Sequence, residues 1–331
     1  MTERATPASP SERPPRTPLD EGLLRHRLVD HGPYARLERV ESIGSTNAFL
    51  VQELVGSGAA DSGGGRPDAG WPHLSVLTAE EQTGGSGRLG RSWASPKHAS
   101  LSTSVVLRPQ LPAEDLAWLS LLAGVALTEV LRQEHGIPAS LKWPNDVHVH
   151  GRKISGILSV LAGGGPAAGG ALVLGCGINV LLEQEELPTP TSTSVLLELA
   201  RTRPGRSLQG AGEGPDLRAG LLASFLERLA EILAAAEEAG SVAPLRPRIT
   251  AVMDTVGQQV RVELPDGTAR SGTAVGLDQD GSLIVEVTHR RPAADQPGQP
   301  DRSSAADQGW HEAAEGRRSF SAGDVVHLRR R

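Results

Sequence analysis

Leu141-Lys142-Trp143-Pro144-Asn145-Asp146-Val147-His148-Val149-His150-Gly151-Arg152-Lys153-Ile154-Ser155-Gly156-Ile157-Leu158 reads as strand, polar break, strand, tight turn, strand. Val147 and Val149 alternate with His148 and His150, the two-residue period of a half-buried strand. Gly151-Arg152 supplies the hairpin turn, because glycine tolerates positive φ. Ile154, Ile157, Leu158, Val160 and Leu161 form the next apolar run. Lysine occurs only at Lys97, Lys142 and Lys153, and two of the three flank this unit; elsewhere arginine carries the positive charge. A lysine kept where arginine is the habit points to a need for a compact ammonium, which a planar guanidinium does not replace. A plain compositional bias is the competing explanation.

Downstream, a Gly/Ala loop over 163–170 leads to Ala171-Leu172-Val173-Leu174-Gly175-Cys176-Gly177-Ile178-Asn179-Val180, a buried strand carrying two glycines. Glycine weakens a strand unless a backbone or ligand must come close. A short helix is expected within 191–199 and a loop over 202–214. Asp216 can cap a long amphipathic helix over 217–238. Residues 242–248 contain Pro244 and Pro247 and read as a junction. Beyond it lie short strands at 259–264, 272–277 and 283–287, separated by Pro265-Asp266-Gly267 and Asp280-Gly281 turn signals. Residues 290–309 read as a loop, and Phe320 with Val325-Val326-His327-Leu328 closes the chain as a strand, so this region is expected to form a small barrel.

Upstream, residues 1–24 read as a disordered tail rich in Pro, Ser, Thr and Arg in its first twenty positions, with no apolar face to pack. A short helix is expected within 21–31 and a strand within 34–43. Gly44-Ser45-Thr46-Asn47 then precedes a helix over 48–54, with Ser45 or Thr46 as its cap. The alternative use of these hydroxyls is to bind a polar ligand group at the helix N-terminus. Residues 56–71 read as a surface loop. After the strand at 74–77 comes Gln82-Thr83-Gly84-Gly85-Ser86-Gly87-Arg88-Leu89-Gly90-Arg91-Ser92-Trp93. Gly85, Gly87 and Gly90 satisfy G-x-G-x-x-G, but that motif must open a helix in a βαβ unit. Here the next element reads as a strand, residues 101–107. The stretch is either a solvated turn or an anion cradle of backbone N–H groups with Arg88 and Arg91. An apolar helix is expected over 115–135.

At 331 residues the chain is long enough for two domains. A net charge of -6 argues against nucleic acid as a main partner. Cys176 is the sole cysteine, which excludes a disulfide framework and a thiolate metal site and fits a reducing cytoplasm. No apolar run approaches the roughly 18 residues of a membrane span. His148 and His150 share a strand face, but with no third ligand nearby they read as an exposed polar face. Asp278 and Asp280-Gly281 lack the closing Glu of a calcium loop and read as a turn. Asp146 reads equally as a turn residue or as a Mg²⁺ carrier alongside substrate phosphates.

Taken in order, Gly44-Ser45-Thr46-Asn47, the glycine motif, Lys142-Trp143-Pro144-Asn145-Asp146, Lys153-Ile154-Ser155-Gly156-Ile157-Leu158 and Gly175-Cys176-Gly177-Ile178-Asn179 closely resemble biotin protein ligases. The resemblance spans about residues 34–328. Ser86 stands where the family's glycine motif usually has its first arginine.

The resemblance implies an α+β fold. It has a mixed β-sheet catalytic domain of the biotin/lipoate ligase, class II aminoacyl-tRNA synthetase-like type at 25–242 and a small SH3-like β-barrel at 243–331. It implies ATP-dependent activation of biotin as biotinyl-AMP and transfer to a lysine of a biotin carboxyl carrier protein domain, with Mg²⁺. Lys153, Arg88 and Arg91 are the implied catalytic cations. Ser45, Thr46, Asn47, Gln82, Gly87, Arg88, Lys153, Gly156 and Gly175 are implied for biotin. Arg88, Arg91, Trp93, Lys142, Asn145 and Asn179 are implied for ATP, and Asp146 for the metal. Some relatives carry an N-terminal DNA-binding domain; with about 30 residues before the first strand, none is expected here, nor DNA or membrane binding. The sequence leaves the oligomeric state open, a homodimer included. A lipoate-type ligase and a non-catalytic biotin- or nucleotide-binding regulator are the rival readings.

Overall fold

The computed structural model describes residues 16–59, 70–87, 90, 93–202, 217–292, 310–321 and 324–327. Helix α1 (Glu21–Arg25), capped by Asp20, runs into a π-helical turn at His26–Asp30. Then follow β1 (Arg36–Val40), α2 (Thr46–Ala59), β2 (Ser75–Ala79) and β3 (Ser100–Leu107). A 3₁₀ turn (Ala113–Trp118) enters α3 (Leu119–Gln133), followed by β4 (Ala139–Lys142), β5 (Asp146–Val149), β6 (Arg152–Ala162) and β7 (Ala171–Asn179). Helices α4 (Val195–Thr202), α5 (Leu217–Glu238) and α6 (Arg246–Val252) lead to β8 (Gln259–Glu263), β9 (Ala269–Leu277), β10 (Leu283–Arg291), β11 (His311–Phe320) and β12 (Asp324–His327).

The strands form a seven-stranded sheet, β1-β2-β3-β7-β6-β5-β4, and a five-stranded sheet, β11-β10-β9-β8-β12. In the first sheet β1 and β2 run parallel and the other pairs antiparallel, so it is mixed. The second is antiparallel throughout. The α+β expectation therefore holds.

Both faces of the large sheet are covered, which explains the continuous apolar runs of its central strands. Leu101, Val105 and Leu107 of β3 and Leu172, Leu174 and Ile178 of β7 join the main core with α3 and α5. The alternate residues Val106, Ala171 and Val173 face the other way, packing with Leu50 of α2 and with Trp71. Helix α3 is apolar nearly all round because it lies between the sheet and α5; only Ser120 among residues 119–131 is not buried. Gly124 allows its close approach, since a Cβ there would overlap the Leu141 side chain.

The five-stranded sheet is fastened to the large one through two tryptophans. Trp118 Nε1 donates to Gln279 O at 3.0 Å and Trp143 Nε1 to Gly281 O at 2.9 Å. The Asp280-Gly281 turn, with Gly281 at φ 82°, is thus a docking turn.

Several expectations change. Residues 16–24 are packed, not a tail: Leu19 and Leu24 are buried. Leu19 N donates to Glu80 Oε1 at 2.7 Å, and Arg218 Nη1 to Thr17 O at 3.1 Å. Trp71, assigned to a surface loop, is buried, with the Arg36 guanidinium 3.9 Å over its ring. Helix α2 runs to Ala59. The β5–β6 turn sits one residue earlier, at His150 (φ 49°) and Gly151 (φ 74°). The 242–248 junction holds a 3₁₀ turn and the start of α6, whose prolines occupy first-turn positions where no N–H is needed. β11 was not expected, because His311-Glu312-Ala313-Ala314-Glu315-Gly316 lacks strand alternation; pairing with β10 supplies its order. Residues 1–15 and 60–69, Arg88, Arg91, residues 203–214, Asp216 and Leu328 lie outside the described residues.

Candidate active site

The face of the large sheet that α2 covers changes character along its length. At one end its side chains are Val106, Val173, Ala171 and Ala162, packed against Leu50. At the other end the same strands carry Ser104, Gly175, Gly177 and Gly156, and a cavity of about 340 Å³ opens there. Val325 and Val326 of the second sheet close one of its sides.

The start of α2 forms an uncharged wall. Thr46 N and Oγ1 donate to Gln82 Oε1 at 2.8 and 3.1 Å, so Gln82 caps the helix from β2's end. The Ser45 hydroxyl accepts from Ala48 N at 3.4 Å, as its capping role predicts. Asn47 Nδ2 donates to Leu158 O at 3.0 Å, while its Oδ1 accepts from Ser104 Oγ at 2.6 Å. These groups offer neutral donors and acceptors, suited to a polar uncharged ring.

The strand glycines leave room for protein side chains. A Cβ on Gly175 would come within 2.5 Å of the Asn47 amide, and one on Gly177 would overlap the Trp93 ring. They admit protein side chains to the cavity wall. Gly177 escaped the sequence reading as a site residue; its spacing two residues after Gly175, on the same face, was the available signal. The glycine motif is closed at its base where Trp93 N donates to Gly85 O at 2.8 Å. Ser86 and Gly87 line the cavity next to it. Arg88 and Arg91 fall outside the described residues.

A β-bulge aims Lys153. Asp146 pairs with Gly156 and Val147 with Ser155, but His148 pairs with Lys153, so Ile154 is an extra residue. In a regular strand Lys153 and Gly156 would face opposite ways. The slip puts them together: a Cβ on Gly156 would stand 3.0 Å from Lys153 Nζ. Lys153 Nζ contacts Asp146 Oδ1 at 2.6 Å. Its backbone is clamped by the segment before α4, with Lys153 N donating to Thr191 O and Thr193 N to Lys153 O, each at 2.8 Å. This Thr/Ser-rich wall, Thr189, Thr191 and Ser192, was not anticipated, since hydroxyl-rich loops are common anywhere on a surface.

Lys142 pairs in register with Asp146 and lines the same end of the cavity. Burial opposes ionisation of Asp146, yet the neighbouring His148 ring and Lys153 ammonium outweigh it and hold the carboxyl below its usual range. His148, expected on an exposed face, is 8% exposed and lines the cavity. Asn145 Nδ2 donates to Ile157 O, and Asn179 Nδ2 to Thr193 O at 3.0 Å, so both amides have a backbone tether. Burial pushes the Cys176 thiol up to about 12, which keeps it a neutral core group and no nucleophile. Among the described residues no group of three His, Cys, Asp or Glu could hold a metal ion, and no helix is long and apolar enough to cross a membrane.

Residues 63–179 match the Biotin/lipoate A/B protein ligase family model, and residues 255–288 match the Biotin protein ligase C terminal domain. The biotin–[acetyl-CoA-carboxylase] ligase of Mycobacterium tuberculosis is 34% identical over 319 residues, covering 95% of this chain and 97% of that protein. The bifunctional ligase/repressor BirA of Escherichia coli is 31% identical, covering 78% of this chain and 70% of that protein. Among solved structures, the Aquifex aeolicus biotin protein ligase in complex with biotin and ATP aligns with a TM-score of 0.59 at 25% identity, over 89% of this chain and 100% of that one.

Proposed function

Because the chain belongs to the biotin protein ligase family, we propose that it joins biotin to ATP as biotinyl-AMP and then biotinylates a lysine of a carboxyl carrier protein domain. In the first step a biotin carboxylate oxygen attacks the α-phosphorus, the bond to the β-phosphate oxygen breaks, and pyrophosphate leaves. In the second, the acceptor amine attacks the mixed anhydride carbonyl, AMP leaves, and the amine loses a proton. The observation that carries this reading is one cavity with a neutral amide/hydroxyl wall at Thr46, Asn47 and Gln82 and a cationic end at Lys142 and Lys153. A ureido ring fits the first and a carboxylate with a triphosphate the second.

In this reading Lys153 offsets the charge that gathers as carboxylate and α-phosphate meet, joined by Arg88 and Arg91 of the glycine motif. Ser45, Thr46, Asn47, Gln82 and Gly87 face biotin, while Gly156 and Gly175 shape its wall. Trp93 packs the adenine side, with Lys142, Asn145 and Asn179 on the nucleotide. Mg²⁺ fits here as an ion carried by ATP, since Asp146 is a single carboxylate with Lys153 already upon it. When bound, the ion supplies further neutralisation of phosphate charge. We divide the chain into a catalytic unit and a C-terminal unit from 243, with residues 16–24, which pack beside Glu80 and Arg218, in the catalytic unit.

Incubation of the chain with biotin, ATP, Mg²⁺ and a biotin carrier domain, followed by intact mass, tests it. One added biotinyl group per carrier is expected. Addition of a lipoyl group when lipoate replaces biotin, with no biotinyl product, would reverse the substrate assignment. Ligand binding without pyrophosphate release would make the protein a regulator.

A further inference from the structure

We propose that His148 is a nucleotide-binding residue, its Nε2 taking a phosphoryl oxygen of ATP and then of the departing pyrophosphate. The inference rests on the adenylation reading and adds a ligand contact to it. Ser140, Lys142, Asp146 and His148 share one face of the β4–β5 pair, with Lys142 opposite Asp146 and Ser140 opposite His148. The bulge in β6 brings Lys153 to that same face, opposite His148. From the other sheet's side, Asp254 Oδ2 accepts from Ser140 Oγ at 2.7 Å, and His327 Nε2 lies 3.2 Å from Thr255 Oγ1.

Within this cluster the His148 ring nitrogen Nε2 is buried beside Asp146 without a hydrogen bond among the described residues; Asp146 Oδ2 stands 3.7 Å away, beyond hydrogen-bond reach. A buried polar nitrogen left unpaired is unfavourable, so its place in the cavity wall calls for a ligand atom. The adenylation reading decides which atom. Lys142 and Lys153 flank it, with the Asp146 carboxylate held by Lys153 and the Asp254 carboxylate by Ser140. The opposite end of the cavity is neutral. In that reading the lysine end takes the triphosphate, and an imidazole N–H can donate to phosphoryl oxygen.

Inorganic pyrophosphate titrated into the full-length chain, without biotin or ATP, tests this apart from catalysis. His148→Leu should weaken pyrophosphate binding and raise the ATP KM about tenfold, the scale of one hydrogen bond to a charged group. The biotin KM and thermal stability should not move. His148→Gln, whose amide nitrogen reaches the place of Nε2, should bind pyrophosphate nearly as the parent does. Unchanged pyrophosphate binding in a folded His148→Leu protein overturns the proposal, as does an equal rise in biotin and ATP KM. If His148→Leu does not fold, the comparison passes to His148→Gln against His148→Asn, whose amide nitrogen falls short of that place; equal pyrophosphate affinity overturns the proposal. Failure of the adenylation reading would be seen separately, as no pyrophosphate release from biotin and ATP by the parent chain.

Discussion

The two ends of the α2-covered sheet face are built on the same strands with opposite results. Where β3, β6 and β7 carry Val106, Ala162 and Val173, the face is packed shut by Leu50 and Trp71. Two to six residues along, Ser104, Gly156, Gly175 and Gly177 leave room, and Asn47, Trp93 and Lys153 enter it. Strand geometry is common to both ends, so side-chain volume alone divides a core from a cavity. Changes at the closed end should therefore act on stability, and changes at the open end on ligand binding and rate.

Lys153→Ala is the strongest test of the open end. Single-turnover formation of biotinyl-AMP should fall by on the order of a hundredfold or more, the scale of removing one preorganised charge-stabilising group. Lys153→Arg should rescue poorly, because its planar fork places charge elsewhere. The thermal midpoint should hardly change, since the ammonium is partly exposed beside Asp146. Adenylation at the parent rate would remove Lys153 from the chemistry.

Leu50→Ala is its counterpart at the closed end. The side chain is fully buried, and its loss should cost about 2–4 kcal/mol of folding stability by denaturant melts. The KM values for biotin and ATP should stay as they are below the melt. A large kinetic effect without a stability loss would dissolve the distinction between the two ends.

Next in size is the N-terminal segment. Glu80 is buried two residues before Gln82, and its carboxylate meets Leu19 N and, at 2.8 Å, Arg218. Deleting residues 1–20 leaves Arg218 short of its Thr17 partner and uncovers apolar surface, which should lower stability by about 1–3 kcal/mol. Deleting residues 1–15 should have no such effect. Equal melts for the two truncations would show that residues 16–20 hold nothing.

The smallest effect expected is on the acid side of the stability profile. His73 Nδ1 accepts from Arg108 N at 2.9 Å, which requires a neutral ring, and burial lowers its pKa from the ordinary value. Burial also lowers that of His327, with Asp254 opposing and Lys142 and His148 assisting. A histidine depressed in the folded state is protonated more readily when unfolded. Stability is thus full above the unfolded pKa of about 6.5 and declines as pH falls below it. Melts from pH 7.5 to 5 should show this slope, and His73→Asn should flatten it. A rise in stability over that range would reverse the sign.

The closed end was readable in advance because its signals are local. The strands at 74–77, 101–107 and 171–180 emerged from period and composition, as did the helix at 217–238 on the sheet's other face, and the structure has them within a few residues. The site was readable in part. Thr46, Gln82, Trp93, Lys142 and Lys153 do line one cavity. His148 was misplaced because alternation reports which face a residue takes and says nothing of what covers that face. Here the second sheet does, from more than a hundred residues away.

By itself the sequence determined the order of elements, the alternation that sends Val147 and Val149 to the core, and the motif order that identifies the family. Those are properties of neighbours along the chain, set by φ, ψ and periodicity. The tertiary structure alone decided that Ile154 is a bulge residue, that Lys153 and Gly156 meet, that Asn47 fills the space over Gly175, and that Thr17 and Leu19 bind beside Glu80. Each depends on the register or approach of strands distant in sequence, where a slip of one residue turns a side chain from one face to the other.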